Sequence, residues 1–295
     1  MKMQEITCLS QYLETIEKLQ SAYSVGLVNN PTSKVFLYRG MCNKDYSLIP
    51  KVFLKQQDNT EDRIIENQTY LAWAKERDLL KSFIHEACCY IAIPPTDIRH
   101  WAEHAQHHGV PTRFLDWSSN PLTALYFSCR DKATTDGVVW LLHQRNYSYV
   151  FWRNIALASK AKKREEILSE LLNQESDVEF PMLYTPYYVD SRMSAQGSYF
   201  LVWGTRIEPL EKLFENDSYY MKCPKIDDEV RSYGTEQQQP ILYKFLIHAD
   251  RKQKLLRELD MVGINEKALF PGLDGIGRYI ERKYRFNYNE AVESF

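Results

Sequence analysis

No stretch of this chain approaches the roughly 20 apolar residues that cross a bilayer, because charges break every hydrophobic run. Paired metal-type cysteines are missing too. The six cysteines (Cys8, Cys42, Cys88, Cys89, Cys129 and Cys223) are scattered with no C-x-x-C spacing, so neither a zinc framework nor a disulfide scaffold is indicated. Net charge is nearly absent: 37 Lys and Arg stand against 39 Asp and Glu, and −2 overall gives no electrostatic footprint for a long nucleic-acid backbone. No G-x-S-x-G elbow occurs, nor a G-x-x-x-x-G-K-[ST] phosphate loop, and Gly272-Leu-Asp-Gly275-Ile-Gly277 lacks the order of a dinucleotide fingerprint. Asp260 and Asp274 have no partner at a spacing that argues for paired acid and base. The opening MKMQEITCLS is not a secretory signal. A soluble, cytoplasmic protein without membrane association is the expectation.

What remains is ordinary in bulk and unusual in detail. At 295 residues, 26% charged and 44% hydrophobic, the chain is long enough for a full core. With 20 Tyr, 13 Phe and 6 Trp it can build a core with polar tips or a stacking surface for a planar ligand. Residues 5–24 carry a helical apolar spacing, and 34–41 read as a strand ending at Arg39-Gly40. Residues 61–90 read as one long helix, and Thr96 or Asp97 caps another running to about His108. Further helices are expected at 120–131, 155–172 and, after Ala249-Asp250, through Leu259, and strands at 137–142, 183–189, 199–202 and 241–247. Cys88-Cys89, in the apolar run IHEACCYIAI, is expected to pack as a pair of small buried hydrophobes. Without repeats or an obvious linker, the whole chain reads as a single mixed α+β domain. Its core spans about 30–280, after an N-terminal helical segment at 1–28.

The densest chemistry lies in Ala105–Phe127, AQHHGVPTRFLDWSSNPLTALYF. It reads as a helix end, a loop carrying His107, His108, Arg113, Asp116, Trp117 and Ser118, and a new helix capped by Asn120 with Pro121 at its first position. Six groups able to bind or ionise within twelve residues exceed what a connector needs, although Arg113 and Asp116 can also simply pair. Just upstream, His100-Trp-Ala-Glu103-His104 has the inverted zincin form H-x-x-E-H. It lacks a recognisable third ligand, and a zinc hydrolase stays a remote alternative. Ser118, Ser119 or Cys129 with His107 or His108 and Asp116 lacks any sign of triad geometry.

The loop is best explained as part of a pocket for an anionic, ring-bearing ligand. Arg39, ending a strand before permissive Gly40, can present a bidentate fork to phosphate oxygens, and Arg113 a second. His107 or His108 can donate to phosphate or ribose, while Trp117 and nearby tyrosines stack on a base. The alternative for Arg39 is a buried ion pair, for example with Asp116.

Four ordered segments carry a family resemblance: VFLYRGM at 35–41, AQHHGVPTRFLDWSSNPLTALYF, RMSAQGSYF at 192–200, and LFPGLDGIG at 269–277. Together they resemble the FRG domain, a label that names a domain and not a reaction. Tyr38-Arg39-Gly40, and Trp117-Ser-Ser-Asn-Pro-Leu-Thr-Ala124-Leu-Tyr-Phe127, are also similar to ADP-ribosyltransferases of the arginine–serine–glutamate class. That likeness implies a small antiparallel or split sheet flanked by helices, with NAD as cofactor and no metal. It implies Arg39, His107, Asp116 and Gln196 as catalytic residues. Tyr38, Arg39, Gly40, His108, Arg113, Trp117 and Ser118 would bind the nucleotide. The family's later Glu is here Gln196, expected on a strand, so Asp116 or Glu208 would have to supply the carboxylate that stabilises an oxocarbenium-like transition state. The implied function is ADP-ribosyl transfer or NAD cleavage in a toxin or antiviral defence setting, with any protein or nucleic-acid acceptor left open. The alternative is a module that binds a nucleotide or a protein without chemistry.

Overall fold

Gly137–His143 (GVVWLLH) is buried at every position, so it must be covered on both faces and flanked on both edges. The computed structural model shows how. It describes residues 3–24, 36–57, 60–64, 69–148, 151, 164–173, 178–188, 190–213 and 241–292. The first elements are β1 (Met3–Ile6), α1 (Leu9–Ser24), β2 (Phe36–Met41), a 3-10 turn at Lys51–Phe53, β3 (Leu54–Gln57) and β4 (Thr60–Ile64). Next come α2 (Thr69–Ala87), α3 (Ile98–His107), β5 (Phe114–Ser118), α4 (Pro121–Cys129), β6 (Gly137–His143) and α5 (Arg164–Asn173). After these stand β7 (Met182–Tyr184), α6 (Ser191–Gln196), β8 (Ser198–Val202), α7 (Leu210–Leu213) and β9 (Leu242–Ile247). Three helices end the described chain: α8 (Ala249–Met261), α9 (Glu266–Leu269) and α10 (Leu273–Val292).

Seven strands form one sheet in the order β1-β9-β6-β2-β5-β8-β7, and β3 pairs with β4 apart from it. The β1–β9 pair is parallel and the other pairs are antiparallel. Helices cover both faces. One face carries Phe36, Tyr38, Val139, Leu141 and Phe245, packed by side chains of α1, α4, α8 and α9. The other carries Leu37, Val138, Trp140 and Leu142, with the strands β5, β7 and β8 and side chains of α3 and α5. Val138, Val139, Leu141 and Leu142 are fully buried, and each such side chain contributes about 1.5–3 kcal/mol of burial. The α+β class is therefore as expected.

The sheet is not uniform. β2 and β6 are in register over six pairs, from Phe36↔His143 to Met41↔Val138, and β5 and β8 over five, from Phe114↔Val202 to Ser118↔Ser198. Between these halves, β2 and β5 meet at the single pair Tyr38↔Ser118. The sheet splits there.

Several local expectations change. Phe114–Ser118 is a strand and not a loop: Arg113 and Asp116 interrupt its apolar run in sequence, and pairing with β8 overrides the signal. Residues 60–64 form a hairpin with 54–57, so the helix expected from 61 begins at Thr69. Cys88 and Cys89 are exposed, in a 3-10 turn after α2, because that end of the run covers no core. Strand β7 ends at Tyr184, short of 189. Residues 155–163 of the expected 155–172 helix lie outside the described residues, and 164–173 is helical. Both caps are as read: the Asp97 side chain accepts from the Arg99 N–H, and the Asn120 side chain from the Leu122 N–H, with Pro121 beginning the helix.

Gly40 is required by packing. A Cβ there would stand 1.8 Å from the Ala124 carbonyl oxygen and 2.8 Å from the Ser128 nitrogen, because the backbone of α4 lies directly on β2. Gly40→Ala is expected to lower stability by about 1–3 kcal/mol, the usual cost of overpacking. An unchanged urea midpoint would show that α4 does not approach β2 this closely.

Candidate functional site

A cleft of about 390 Å³ opens where β2 and β5 diverge. Its lining includes Arg39 and Gly40 from β2, Asp116 and Ser118 from β5, and Thr123 and Phe127 from α4. Gln106 and His107 come from α3, Arg192 and Gln196 from α6, and Lys51 from the 3-10 turn. The volume lies within the range of small-molecule sites, about 300–1,000 Å³. Of the four side chains expected to be catalytic, Arg39, His107, Asp116 and Gln196, all line it.

Arg39 is the central group. Its Nη1 donates to the Asp116 main-chain carbonyl at 2.5 Å and stands 3.9 Å from the Asp116 carboxylate. The side chain is 23% exposed, burial holds its pKa below the usual guanidinium range, and Asp116 opposes that shift. It stays a cation at any ordinary pH. Asp116 also accepts from Gln106 Nε2 at 2.8 Å, and Gln106 in turn accepts from the Thr112 hydroxyl at 2.7 Å. Arg39, Asp116, Gln106 and Thr112 thus form one chain of polar contacts along the cleft.

Three buried donors on this wall have no hydrogen-bond partner among the described residues: Arg39 Nε, Trp117 Nε1 and the Thr123 hydroxyl. Buried polar groups are nearly always satisfied, so three orphans beside one cleft set this wall apart. The ionised groups lean the same way, with Arg39, Lys51 and Arg192 against the single carboxylate of Asp116.

The remaining expectations divide. His107 reaches the cleft and stands 3.6 Å from Asp190; burial pushes its imidazole below the ordinary value, Asp190 opposes this and Arg192 adds to it. His108 turns outward, exposed and stacked on Phe83, and is not part of the lining. Trp117 is 2% exposed within the core, so it offers no face for stacking a base, and only its N–H is unpaired among the described residues. Tyr38 is likewise buried, with its hydroxyl accepting from Gln20 of α1 and its pKa pushed up to about 12 by burial. Ser118 is committed to structure, donating to the Gln196 carbonyl at 2.6 Å and accepting from the Asn120 N–H at 2.9 Å. Gln196 ends helix α6 instead of lying on a strand, since Gly197 at φ 59° stops the helix just before β8. Its side-chain amide donates to the Leu269 carbonyl at 3.0 Å.

Arg113 is the clearest correction. It is fully buried, with Nε donating to Glu76 at 2.6 Å, Nη2 at 2.5 Å from the same carboxylate, and Nη1 donating to the Leu171 carbonyl at 2.7 Å. Its own N–H donates to the other Glu76 oxygen at 2.7 Å. The fork is filled by a helix α2 carboxylate, and no ligand phosphate reaches it. Sequence reasoning also passed over Gln106, Lys51 and Arg192. The first and last stand inside the AQHHG and RMSAQG segments, which carried that information; Lys51 had no signal. Glu76→Ala is expected to cost about 3–5 kcal/mol by stranding a buried guanidinium, and a loss under 1 kcal/mol in chemical denaturation would contradict the pairing.

The H-x-x-E-H segment turns its glutamate into the core. Glu103 is fully buried and accepts a hydrogen bond from the Tyr184 hydroxyl, and His100 packs edge-on against Tyr187. Among the described residues no group of three or more His, Cys, Asp or Glu side chains could hold a metal. Burial raises the Glu103 carboxyl from 4.5 to about 7, against the Tyr184 hydrogen bond. The fold therefore favours the protonated acid. That contribution is complete below about pH 4.5 and is lost as pH rises toward 7. Glu103→Gln, which keeps an acceptor for Tyr184 without the charge, should gain melting temperature relative to the parent as pH rises across this window. A pH-independent difference would show that Glu103 does not titrate there.

Residues 34–137 match the family model of the FRG domain. The match takes in Arg39, His107, Asp116 and Thr123, whereas Arg192 and Gln196 lie beyond it. No match is found among the curated proteins or among the solved structures. Among the described residues no helix is long and apolar enough to cross a membrane.

Proposed function

We propose that this chain, which carries an FRG domain, binds a nucleotide in the cleft between β2 and β5, with NAD as the ligand that fits its chemistry. The observation that supports the reading is the set of orphaned donors. Arg39 Nε, Trp117 Nε1 and the Thr123 hydroxyl all require acceptors, and phosphate and ribose oxygens are the densest common source of them. Arg39 is fixed at one nitrogen by the Asp116 carbonyl, so its fork is already oriented when a phosphate arrives. Half-buried Phe127, on the lining, suits a ring better than buried Trp117 does.

Asp116 is the group on which chemistry would depend. It is exposed, lies in the cleft, and is the carboxylate nearest Arg39. In NAD cleavage the bond from the ribose anomeric carbon to the nicotinamide nitrogen breaks, and its electron pair leaves with nicotinamide. An oxocarbenium-like centre is left for Asp116 to stabilise. Water or an acceptor hydroxyl then attacks that carbon and gives up its proton to the carboxylate. Gln196 contributes no charge, and its amide is held by Leu269, so it positions the rim. A non-catalytic reading is favoured by one observation: Asp116 is already engaged by Gln106 and Arg39, as a purely structural carboxylate would be.

The test is incubation with NAD, following nicotinamide release and melting temperature together. Release is expected, lost in Asp116→Asn while NAD protection persists. Arg39→Ala should weaken NAD binding by roughly 10- to 100-fold, the equivalent of a lost charged hydrogen bond. Protection without release leaves the binding module, and neither effect removes NAD from the reading.

A further inference from the structure

Beside the cleft, three arginines crowd one aromatic ring. The guanidinium carbons of Arg192, Arg130 and Arg278 stand 4.6, 5.1 and 5.5 Å from the ring centre of Phe270, so no two are more than about 11 Å apart. They arrive from three separate elements: Arg192 from α6, Arg130 from the C-terminal cap of α4, and Arg278 from α10. Like charges this close repel, since the separation is comparable with the Debye length of about 8–10 Å. Arg192 shows the strain: burial first, then Arg130 and Arg278, lower its pKa. Asp116 and Asp190 oppose that shift from a distance and Asp131 sits 3.3 Å from Arg130, while among the described residues neither Arg192 nor Arg278 forms an ion pair.

The backbone is shaped to keep them together. Gly275, one turn before Arg278, lies so close that a Cβ would stand 1.8 Å from the Phe270 carbonyl oxygen, which sets the start of α10 directly on the ring-bearing segment. Gln196, one turn after Arg192, holds the Leu269 carbonyl next to Phe270. Arg192 and Phe127 line the cleft, and Arg130 lies 5.8 Å from the Phe127 ring, so the cluster is continuous with the cleft mouth.

We propose that Arg130, Arg192 and Arg278, mounted on Phe270, form a phosphate-binding subsite at the cleft mouth, separate from Arg39. The ligand then spans two cationic points, and a nucleoside diphosphate group or a terminal phosphate meets the arginine cluster. The proposal deepens the nucleotide reading, but the subsite's affinity for phosphate stands without it.

Isothermal titration with pyrophosphate, ADP and adenosine separates the two. Wild-type protein is expected to bind pyrophosphate and to prefer ADP over adenosine by at least tenfold, with both effects weakening as salt is raised. The Arg130→Gln/Arg278→Gln variant should lose pyrophosphate binding and most of the ADP preference, while Arg39→Ala retains the pyrophosphate site. Arg278 is exposed, so Arg278→Gln alone, with an unchanged melting temperature, serves if the double variant is unstable; it should weaken pyrophosphate several-fold. Pyrophosphate bound equally by wild type and variants, or by neither, overturns the subsite. Pyrophosphate bound as tightly as ADP, with no binding of adenosine, supports the subsite as a free-phosphate site and overturns the nucleotide reading instead.

Discussion

The molecule depends on a gap in its sheet. The ladder between β5 and β8 is bracketed by the Trp203 N–H donating to the Arg113 carbonyl and the Ser119 N–H donating to the Gly197 carbonyl. In an antiparallel pair, hydrogen-bonded residues alternate, so 113, 115, 117 and 119 face β8 and the polar backbone of 114, 116 and 118 faces β2. β2 meets only Ser118, leaving the Asp116 carbonyl turned toward a strand that has moved away. A carbonyl without its strand partner still takes a donor, and the Arg39 guanidinium reaches across the gap to supply one. The arginine thus replaces a missing rung of the ladder and, in doing so, lies across the mouth of the opening.

The same gap explains the neighbours of Arg39. The strand that parts from β5 must be supported elsewhere, and α4 does this by resting its backbone against Gly40, where no side chain intervenes. The helix can start at the right place because Asn120 caps it and Pro121 opens it, and Ser118 ties that corner to the end of α6. Two adjacent residues, Arg39 and Gly40, therefore serve opposite faces of one strand. One fills the cleft side, and the other admits a helix on the far side. Trp117 and Tyr38 border the same junction as buried core.

Local signals were legible in the sequence and long-range partners were not. Asn120-Pro121 and Asp97 act within a few residues of themselves, so their roles as caps could be read directly. Arg39 and Arg113 looked alike, each an arginine beside an apolar run. What separates them is Glu76, 37 positions upstream on a helix, which fills one fork and leaves the other in the cleft. Phe114–Ser118 was hidden for a related reason: Asp116 in the middle of FLDWS breaks the apolar pattern because it faces the cleft. The very residue that marks the site obscured the strand that carries it. At Trp117 and Gln196 residue type pointed to the cleft without showing how each is held, the first with its ring buried and the second with its amide on the Leu269 carbonyl.

The family match and the geometry divide the site between them. Residues 34–137 supply the floor, with Arg39, Asp116, Thr123 and the α3 side chains. The opposite rim comes from later chain: Arg192 and Gln196 of α6, braced against Leu269 and Phe270. A floor built from the sheet gap is fixed by backbone geometry and tolerates little change, since Gly40 and the Asp116 carbonyl are main-chain requirements. The rim is held by side-chain contacts, namely one amide hydrogen bond and a ring surrounded by arginines, and substitution there alters charge and reach without disturbing the sheet. Under the proposed nucleotide reading, recognition of a shared ligand feature belongs to the floor, and discrimination among ligands to the rim.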